Sequence, residues 1–188
     1  FIFANTLKTR LQNLLDNPHK IPNILCFYGV PAQGKTTFAK YLAKTVASQN
    51  QYFDANSYKR DNKIINSTSS LMPMLNVNGQ NFRHAFIIDE WHNFRLSHQD
   101  SFKVLFDEMI PRKSLIIICC NTDSKNTIKK VLNPAIYSRC HKINFNILES
   151  ERDEVTNLAM ERFPLLDREI IYRNIPDWRR INQESMLM

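Results

Sequence analysis

Glycine is scarce in this chain. Its 188 residues include only three glycines, whereas average usage of about 7% predicts roughly a dozen. The scarcity excludes collagen-like, Gly/Ser-linker and propeller-type sequences. Gly29 and Gly34 lie five residues apart, and Gly79 stands alone. Two glycines in one short segment of a glycine-poor chain indicate a loop that needs backbone freedom.

Long hydrophobic runs and a secretory leader are also absent. The longest apolar runs, Leu115–Cys120 and Ala85–Ile88, fall far short of the ~20 residues that a bilayer-spanning helix needs. We therefore expect no membrane partner and no secretion. The expected location is the cytoplasm of a bacterial or phage-infected cell, or the nucleus of a eukaryote. Because the first residue is Phe1 rather than Met, we also expect a longer natural polypeptide.

The four cysteines do not form a metal-binding pattern. Cys26, Cys119 and Cys120 lie inside apolar runs, Cys140 stands apart, and none belongs to a CxxC pair. Zinc sites use closely spaced thiolates on flexible loops. Buried free thiols in a reducing compartment are the favoured interpretation.

The net charge is +7 and the isoelectric point is near 9.3. This balance fits a polyanionic partner, but the 25 basic residues are spread along the chain. Charge alone therefore favours nucleic-acid binding no more than an ordinary solvated basic surface.

Apolar runs alternate with segments of helical spacing. The predicted strands are 23–28, 51–53, 83–88, 114–120 and 142–145. Helices are predicted over 7–15, 36–47 and 97–110, with a short one starting at 133–134. Strands that alternate with helices predict an α/β fold, with a parallel sheet sandwiched by helices. Only helical spacing follows residue 148, which predicts a core domain over 1–147 and a small helical lid over 148–188.

The first strand leads into a phosphate-binding sequence. Residues 29–36 match G-x-x-x-x-G-K-[ST], with an apolar strand before them and an amphipathic helix after them. The glycines let backbone N–H groups approach phosphate oxygens, and the following helix directs its positive end at the same anion. We expect the following residues to bind ATP: Gly29, Val30, Pro31, Ala32, Gln33, Gly34, Lys35, Thr36 and Thr37. Lys35 is assigned to the β- and γ-phosphates, and the Thr36 hydroxyl to Mg²⁺.

Two later strands end in polar residues. The buried strand 83–88 is followed by Asp89 and Glu90, and the strand 114–120 by Asn121. Parallel strands that end at one sheet edge surround one site. We assign Asp89 to the Mg²⁺ ion, Glu90 to the attacking water as catalytic base, and Asn121 to orienting that water.

The order of these motifs resembles the AAA+ ATPase subunits of sliding-clamp loaders, the replication factor C small subunits and their bacterial and T-even phage relatives. The resemblance extends from about Leu7 to Asn182. The segments that carry it are Lys20–Leu25, Asp89–His92, Ser101–Glu108, Asn133–Cys140 and Pro176–Arg180. Ser138-Arg139-Cys140 is the most discriminating match, and Pro176-Asp177-Trp178-Arg179 is closest to the phage lid motif.

The resemblance implies roles for three arginines. Arg139 would reach the γ-phosphate of a neighbouring subunit as a catalytic finger in trans. Arg179 would contact ATP bound to its own subunit and couple the lid to it. Arg60, within a segment that loosely resembles Asn-Ala-Ser-Asp-Asp-Arg of the family, would face DNA.

The sequence departs from the family pattern in four places. The N-terminal segment that contacts adenine is missing, as are the C-terminal collar domain and the zinc module of bacterial relatives. The interval between Asn121 and Arg139 is several residues longer than in the family.

The resemblance implies an ATPase that uses ATP and Mg²⁺ to load a sliding clamp onto primer–template DNA, in a homo- or hetero-oligomer that is expected to be a pentamer. Two alternatives remain open on the sequence. One is a viral superfamily 3 type replicative helicase, which also combines a phosphate loop, an acidic strand end and a strand ending in Asn. The other is a nucleotide-binding structural subunit without turnover.

Overall fold

A computed structural model describes residues 1–56, 82–109 and 113–187 of the chain. The predictions made at Arg60 and Gly79 lie outside the described residues.

A parallel sheet forms the centre of the described structure. Its strands are β1 (Ile24–Gly29), β2 (Ala47–Asp54), β3 (Phe82–Asp89), β4 (Ser114–Asn121) and β5 (His141–Asn144). They are arranged in the order β2-β3-β4-β1-β5, and each neighbouring pair is parallel. The α/β fold predicted from the alternating sequence pattern is therefore confirmed.

Helices surround the sheet and follow it. They are α1 (Asn5–Asp16), α2 (Lys35–Val46), α3 (Leu96–Gln99), α4 (Ser101–Met109), α5 (Ile128–Val131), α6 (Pro134–Arg139), α7 (Arg152–Arg162), α8 (Arg168–Asn174) and α9 (Trp178–Met186). Short 3₁₀ turns span Pro18–Lys20, Trp91–Asn93 and Glu149–Glu151.

Both faces of the sheet are buried, because alternate residues of each strand point to opposite sides. Leu25 and Phe27 of β1 pack with α1 and α2 in one hydrophobic cluster. Cys26 belongs to the opposite cluster, which includes Phe106 of α4 and Ile136 of α6. Parallel strands covered on both faces have continuous apolar sequences, as they do here.

The C-terminal helices have a hydrophobic cluster of their own. Val155 and Ala159 of α7 pack with Ile171 of α8 and Ile181 of α9, and Ala4 joins them. The backbone N–H of Asn5 also donates to Glu154 Oε1 at 2.8 Å, linking the start of α1 to α7. The division at residue 148 stays a prediction.

Strand β2 is longer than the predicted 51–53. It begins at Ala47, immediately after α2 ends at Val46. Its early residues are polar and partly exposed, and β2 pairs only with β3 among the described strands. A polar edge strand lacks the apolar run on which the prediction relied.

The predicted helix 97–110 is interrupted at Asp100, which separates α3 from α4. Asn133 Nδ2 donates to Asp100 Oδ1 at 2.8 Å, and Gln99 Nε2 donates to the Val131 carbonyl at 2.9 Å. These side-chain contacts hold the break against the segment around α5 and the start of α6.

All four cysteines are free and buried, as predicted. In the three described ranges, no helix combines the length and the apolar character needed to cross a membrane.

The sheet register brings the polar strand ends together. Gly29 at the end of β1 pairs with Asn121 at the end of β4. Ile88 of β3 pairs with Ile118 of β4, so Asp89 and Glu90 follow at the same edge of the sheet. The carboxyl ends of three adjacent strands therefore surround one site.

Candidate functional site

The loop between β1 and α2 has the backbone of an anion cradle. Gly29, Ala32 and Gly34 have positive φ angles of 150°, 63° and 82°. A Cβ on Gly29 would lie 2.8 Å from Asn146 Oδ1 and 2.9 Å from Gln33 Oε1, so both side chains would have to move, and the φ of 150° is one that other residues rarely adopt. Left-handed residues within such a turn direct successive N–H groups into a concavity that suits phosphate.

Asn146 supports this loop from outside it. Its Oδ1 accepts a 2.8 Å hydrogen bond from the backbone N–H of Val30. Asn146 lies two residues after β5, outside every motif that the sequence displays. Gln33 Oε1 is buried and has no hydrogen-bond partner within the described part of the chain. An orphaned acceptor beside the cradle is a group that a ligand donor or a water satisfies.

Lys35 lies beneath the loop and is nearly fully buried. Its ammonium donates to the Gly29 carbonyl at 3.0 Å and to the Val30 carbonyl at 2.6 Å. Two of its three hydrogens are thus used, and the third remains for a phosphate oxygen. Burial lowers the pKa of Lys35, while the nearby carboxylates of Asp89 and Glu90 act in the opposite direction.

Three elements meet at Asp89. The Thr36 hydroxyl of α2 and the Tyr52 hydroxyl of β2 each donate to Asp89 Oδ2 at 2.9 Å. Burial, and then the hydrogen bond to Asp89, raise the pKa of Tyr52. Tyr52 therefore remains a donor at neutral pH. It was not among the predicted site residues, because nothing local in a polar edge strand marks a contact with a residue 37 positions away.

Glu90 and Asn121 meet at the next position along the edge. Asn121 Nδ2 lies 3.4 Å from both carboxylate oxygens of Glu90. Glu90 has a positive φ of 55°, a left-handed conformation that non-glycine residues adopt at a cost of about 1–3 kcal/mol. Such strain is characteristic of functional sites, and here it turns the carboxylate toward the end of β4.

Two cavities flank the phosphate loop. One, of about 540 Å³, is bordered by Gly34 and Thr37 on the loop side and by Arg162, Trp178 and Asn182 of the C-terminal helices. The other, of about 490 Å³, is lined by Pro31, His92, Asn121 and residues that follow β3 and β4. The first is roomy enough for a nucleoside, whereas the second borders Asn121 of the pair just described.

Residues 1–3 form part of the larger cavity. Phe1, Ile2 and Phe3 line it, and Phe3 packs edge-to-face against Phe145 with ring centroids 5.7 Å apart. A Cβ on Gly34 would lie 3.6 Å from Phe3 Cε1. Residues 1–3 thus border the phosphate loop on this side, while the absence of the family's adenine-contacting segment stays a prediction.

The oxygens of Thr36 and Asp89 fit a magnesium ion. They are 2.9 Å apart at the mouth of the phosphate loop. Mg²⁺ is usually bound by one or two protein oxygens together with substrate phosphates and water. The described residues contain no group of three or more His, Cys, Asp or Glu side chains arranged around one ion.

Comparison with protein families identifies the fold family. The model for the ATPase family associated with various cellular activities (AAA) matches residues 25–147, which is most of the chain. The chain belongs to the AAA ATPase family.

Several solved structures share this fold at low sequence identity. The replication initiator DnaA bound to AMPPCP and single-stranded DNA is 16% identical with a TM-score of 0.66, covering 100% of this chain and 62% of that one. AMPPCP-bound DnaA from Aquifex aeolicus is 16% identical with a TM-score of 0.64, and the same shares of the two chains are covered. The Thermotoga maritima RuvB Holliday junction branch migration motor is 16% identical with a TM-score of 0.60, covering 92% of this chain and 55% of that one.

The chain thus spans about three fifths of the DnaA and RuvB chains that it matches. No curated protein sequence matches it significantly.

The two arginines predicted to act on ATP, Arg139 and Arg179, lie in different surroundings. Arg139, the last residue of α6, forms an ion pair with Asp107 of α4, with Nε 3.2 Å from Oδ1 and Nη2 3.2 Å from Oδ2. Arg179 is exposed in the first turn of α9, where its backbone N–H donates to Asp177 Oδ1 at 3.1 Å. Trp178 and Asn182, rather than Arg179, line the larger cavity. The catalytic role of Arg139 in trans and the ATP contact of Arg179 stay predictions.

Proposed function

We propose that this AAA chain binds and hydrolyses ATP with Mg²⁺ at the carboxyl ends of β1, β3 and β4. The observation that carries the proposal is the convergence of two pairs, Thr36 with Asp89 and Glu90 with Asn121, beside a glycine-dependent phosphate loop. Phosphoryl transfer to water uses two protein oxygens that hold Mg²⁺ beside a carboxylate and an amide that orient the water.

The loop and Lys35 bind the phosphates in this proposal. Backbone N–H groups of residues 29–34 face the phosphate oxygens, and the Lys35 ammonium neutralises the charge of the β- and γ-phosphates. Mg²⁺ supplies charge neutralisation and in-line geometry when it is bound. Thr36 and Asp89 hold that ion, and Tyr52 keeps Asp89 oriented.

Glu90 acts as the catalytic base. Its carboxylate takes the proton from water as the water oxygen attacks the γ-phosphorus and the bond to the β–γ bridging oxygen breaks. Asn121 holds the carboxylate and the water in line. The products are ADP and inorganic phosphate.

The larger cavity takes the nucleoside. It joins the phosphate loop at Gly34 and Thr37, and its far wall carries Trp178 and Arg162. A ligand in this position contacts both the sheet-bearing part of the chain and the C-terminal helices. Binding of ATP therefore favours one arrangement of these two parts, which is how a lid transmits nucleotide state.

For the biological role, we propose a subunit of a clamp loader that places a ring-shaped clamp on primer–template DNA. The support is the motif Ser138-Arg139-Cys140 and the lid sequence at Trp178–Arg179, which resemble those subunits. Arg139 is exposed at the end of α6, where a neighbouring subunit has access to it. The net charge of +7 fits sequence-independent contacts to DNA phosphates.

The oligomer mass of the full-length protein with AMPPCP, measured together with ATP turnover, tests this role. The proposal expects a pentamer whose hydrolysis rises with primer–template DNA and rises less with blunt duplex. A hexamer that unwinds a forked duplex would instead identify a helicase. A monomer without turnover would identify a nucleotide-binding subunit.

A further inference from the structure

His92 lies between the two residues proposed to activate water. It belongs to the 3₁₀ turn Trp91–Asn93 that directly follows Glu90. The backbone N–H of Asn121 donates to His92 Nδ1 at 3.2 Å, and His92 Nε2 lies 3.2 Å from Glu90 Oε2. One imidazole ring thus bridges the end of β3 and the end of β4.

These two contacts define the tautomer of the ring. A nitrogen that accepts a hydrogen bond carries no proton, so Nδ1 is unprotonated. In the neutral ring the proton is then on Nε2, the nitrogen that lies 3.2 Å from Glu90 Oε2. Asn121 is consequently linked to Glu90 twice, directly through its amide and indirectly through its backbone N–H and the His92 ring.

The donors are distributed unequally over the Glu90 carboxylate. Three side-chain nitrogens lie near Oε2: His92 Nε2 at a distance of 3.2 Å, and Asn93 Nδ2 and Asn121 Nδ2 at 3.4 Å each. Among the described residues, the only hydrogen-bond donor to Oε1 is Asn121 Nδ2, at 3.4 Å. Oε1 therefore keeps more acceptor capacity, and it is the oxygen that can take a proton from water.

We propose that His92 is a positioning residue for ATP hydrolysis, which fixes the Glu90 carboxylate relative to Asn121 and leaves Oε1 facing the attacking water. This inference rests on the proposed function, because it assigns His92 to the same site. The need for such support follows from the left-handed backbone of Glu90, whose φ of 55° persists only where surrounding contacts hold it.

Two substitutions separate the two contacts of the ring. In His92→Gln, the side-chain amide reaches the place of Nε2 and keeps a donor for Glu90. In His92→Asn, the shorter side chain places its oxygen near Nδ1, which keeps the acceptor for Asn121 but removes the donor to Glu90. Both variants introduce a side-chain amide, but His92→Gln keeps the contact with Glu90 and His92→Asn keeps the contact with Asn121.

We expect His92→Asn to lower kcat at least about tenfold, because a misoriented base loses part of the roughly 10²- to 10⁴-fold contribution of a positioned one. We expect His92→Gln to retain kcat within about threefold of the wild type, because the donor that orients Glu90 survives. Affinity for a fluorescent ATP analogue and the melting temperature should change little in either variant, because neither contact belongs to the phosphate cradle.

The ring itself gives a readout independent of turnover. In a sample with ¹⁵N-labelled histidine, His92 should show an unprotonated Nδ1 and a protonated Nε2, with His92→Gln identifying its signals among the five histidines. The opposite tautomer would overturn the proposal, as would equal kcat in both variants and the wild type. A parallel loss of affinity and melting temperature would also overturn it, because it would show a merely structural role. A wild type that binds ATP without turning it over would instead refute the proposed function and this inference together.

Discussion

The Thr36 hydroxyl donates a 2.9 Å hydrogen bond to Asp89 Oδ2, joining the first turn of α2 to the end of β3. The two residues are 53 positions apart in the chain. Their contact places two oxygens suited to Mg²⁺ at the mouth of the phosphate loop, beside the buried ammonium of Lys35. The proposed chemistry depends on this meeting of two separate motifs.

Thr36→Ala should weaken ATP binding in the presence of Mg²⁺ by about ten- to a hundredfold, because it removes an oxygen that supports the metal. Binding measured with EDTA should change far less. Thr36→Ser, which retains the hydroxyl, is the matched control. Equal weakening with and without Mg²⁺ would contradict the assignment of Thr36 to the metal.

Tyr52→Phe should raise the Mg²⁺ concentration needed for half-maximal ATP binding, because Asp89 loses one of the donors that orient it. The ring, whose centroid lies 3.9 Å from Lys40 Nζ, is retained. We expect a stability loss of about 0.5–1.5 kcal/mol in chemical denaturation, as for one hydrogen bond. Tyr52→Ala, which also removes the cation–π contact, should be less stable still. An unchanged Mg²⁺ titration in Tyr52→Phe would separate Tyr52 from the site.

Arg139→Ala should abolish turnover in the assembled oligomer while leaving ATP affinity unchanged. Glu90→Gln lacks the base but supplies Arg139, so a mixture of the two variants should regain part of the activity if the arginine acts in trans. Asp107→Asn leaves the arginine in place and weakens only its exposed ion pair, of a kind that contributes little to stability. This control should retain turnover without any partner variant, because it keeps both Glu90 and Arg139. Mixtures that remain inactive would contradict the role in trans.

His84 should make the chain less stable in mild acid. Its ring packs beside Phe86 on β3, and burial, with a smaller effect of Arg83, lowers its pKa below the usual 6.5. The unfolded chain therefore binds a proton at a higher pH than the folded chain does. The stability contributed by neutral His84 is fully present above about pH 6.5 and is lost as the pH falls, at no more than about 1.4 kcal/mol per pH unit.

The check is urea unfolding of the wild type and His84→Gln between pH 8 and pH 5. As the pH falls, the free energy of unfolding of the wild type should decrease relative to that of His84→Gln. Parallel pH profiles would show that His84 does not carry this dependence.

Local patterns are sufficient to predict the buried strands and the phosphate loop. Each strand preceding a polar end, such as the one before Asp89 and the one before Asn121, is a continuous apolar run because both of its faces are buried. Parallel strands end at one edge of a sheet, and this rule alone predicts that Asp89, Glu90 and Asn121 lie together.

The remaining site residues act through contacts that have no local signature. Tyr52 lies in a polar edge strand, and its hydroxyl reaches across to β3. Asn146 follows β5 and supports a loop 116 positions earlier in the chain. Phe3 packs against Phe38 of α2 and against Phe145, which follows β5. Residue spacing predicts which elements form, but side-chain contacts between distant elements depend on how those elements pack.

The most direct test of the account is ATP turnover by Glu90→Gln, measured beside ATP affinity in the same preparation. The variant keeps the shape of the side chain but cannot accept a proton. We predict unchanged affinity and a turnover at least about a hundredfold lower than that of the wild type, the usual contribution of a positioned base. Turnover at the wild-type rate would contradict the assignment of Glu90, and with it the proposed mechanism.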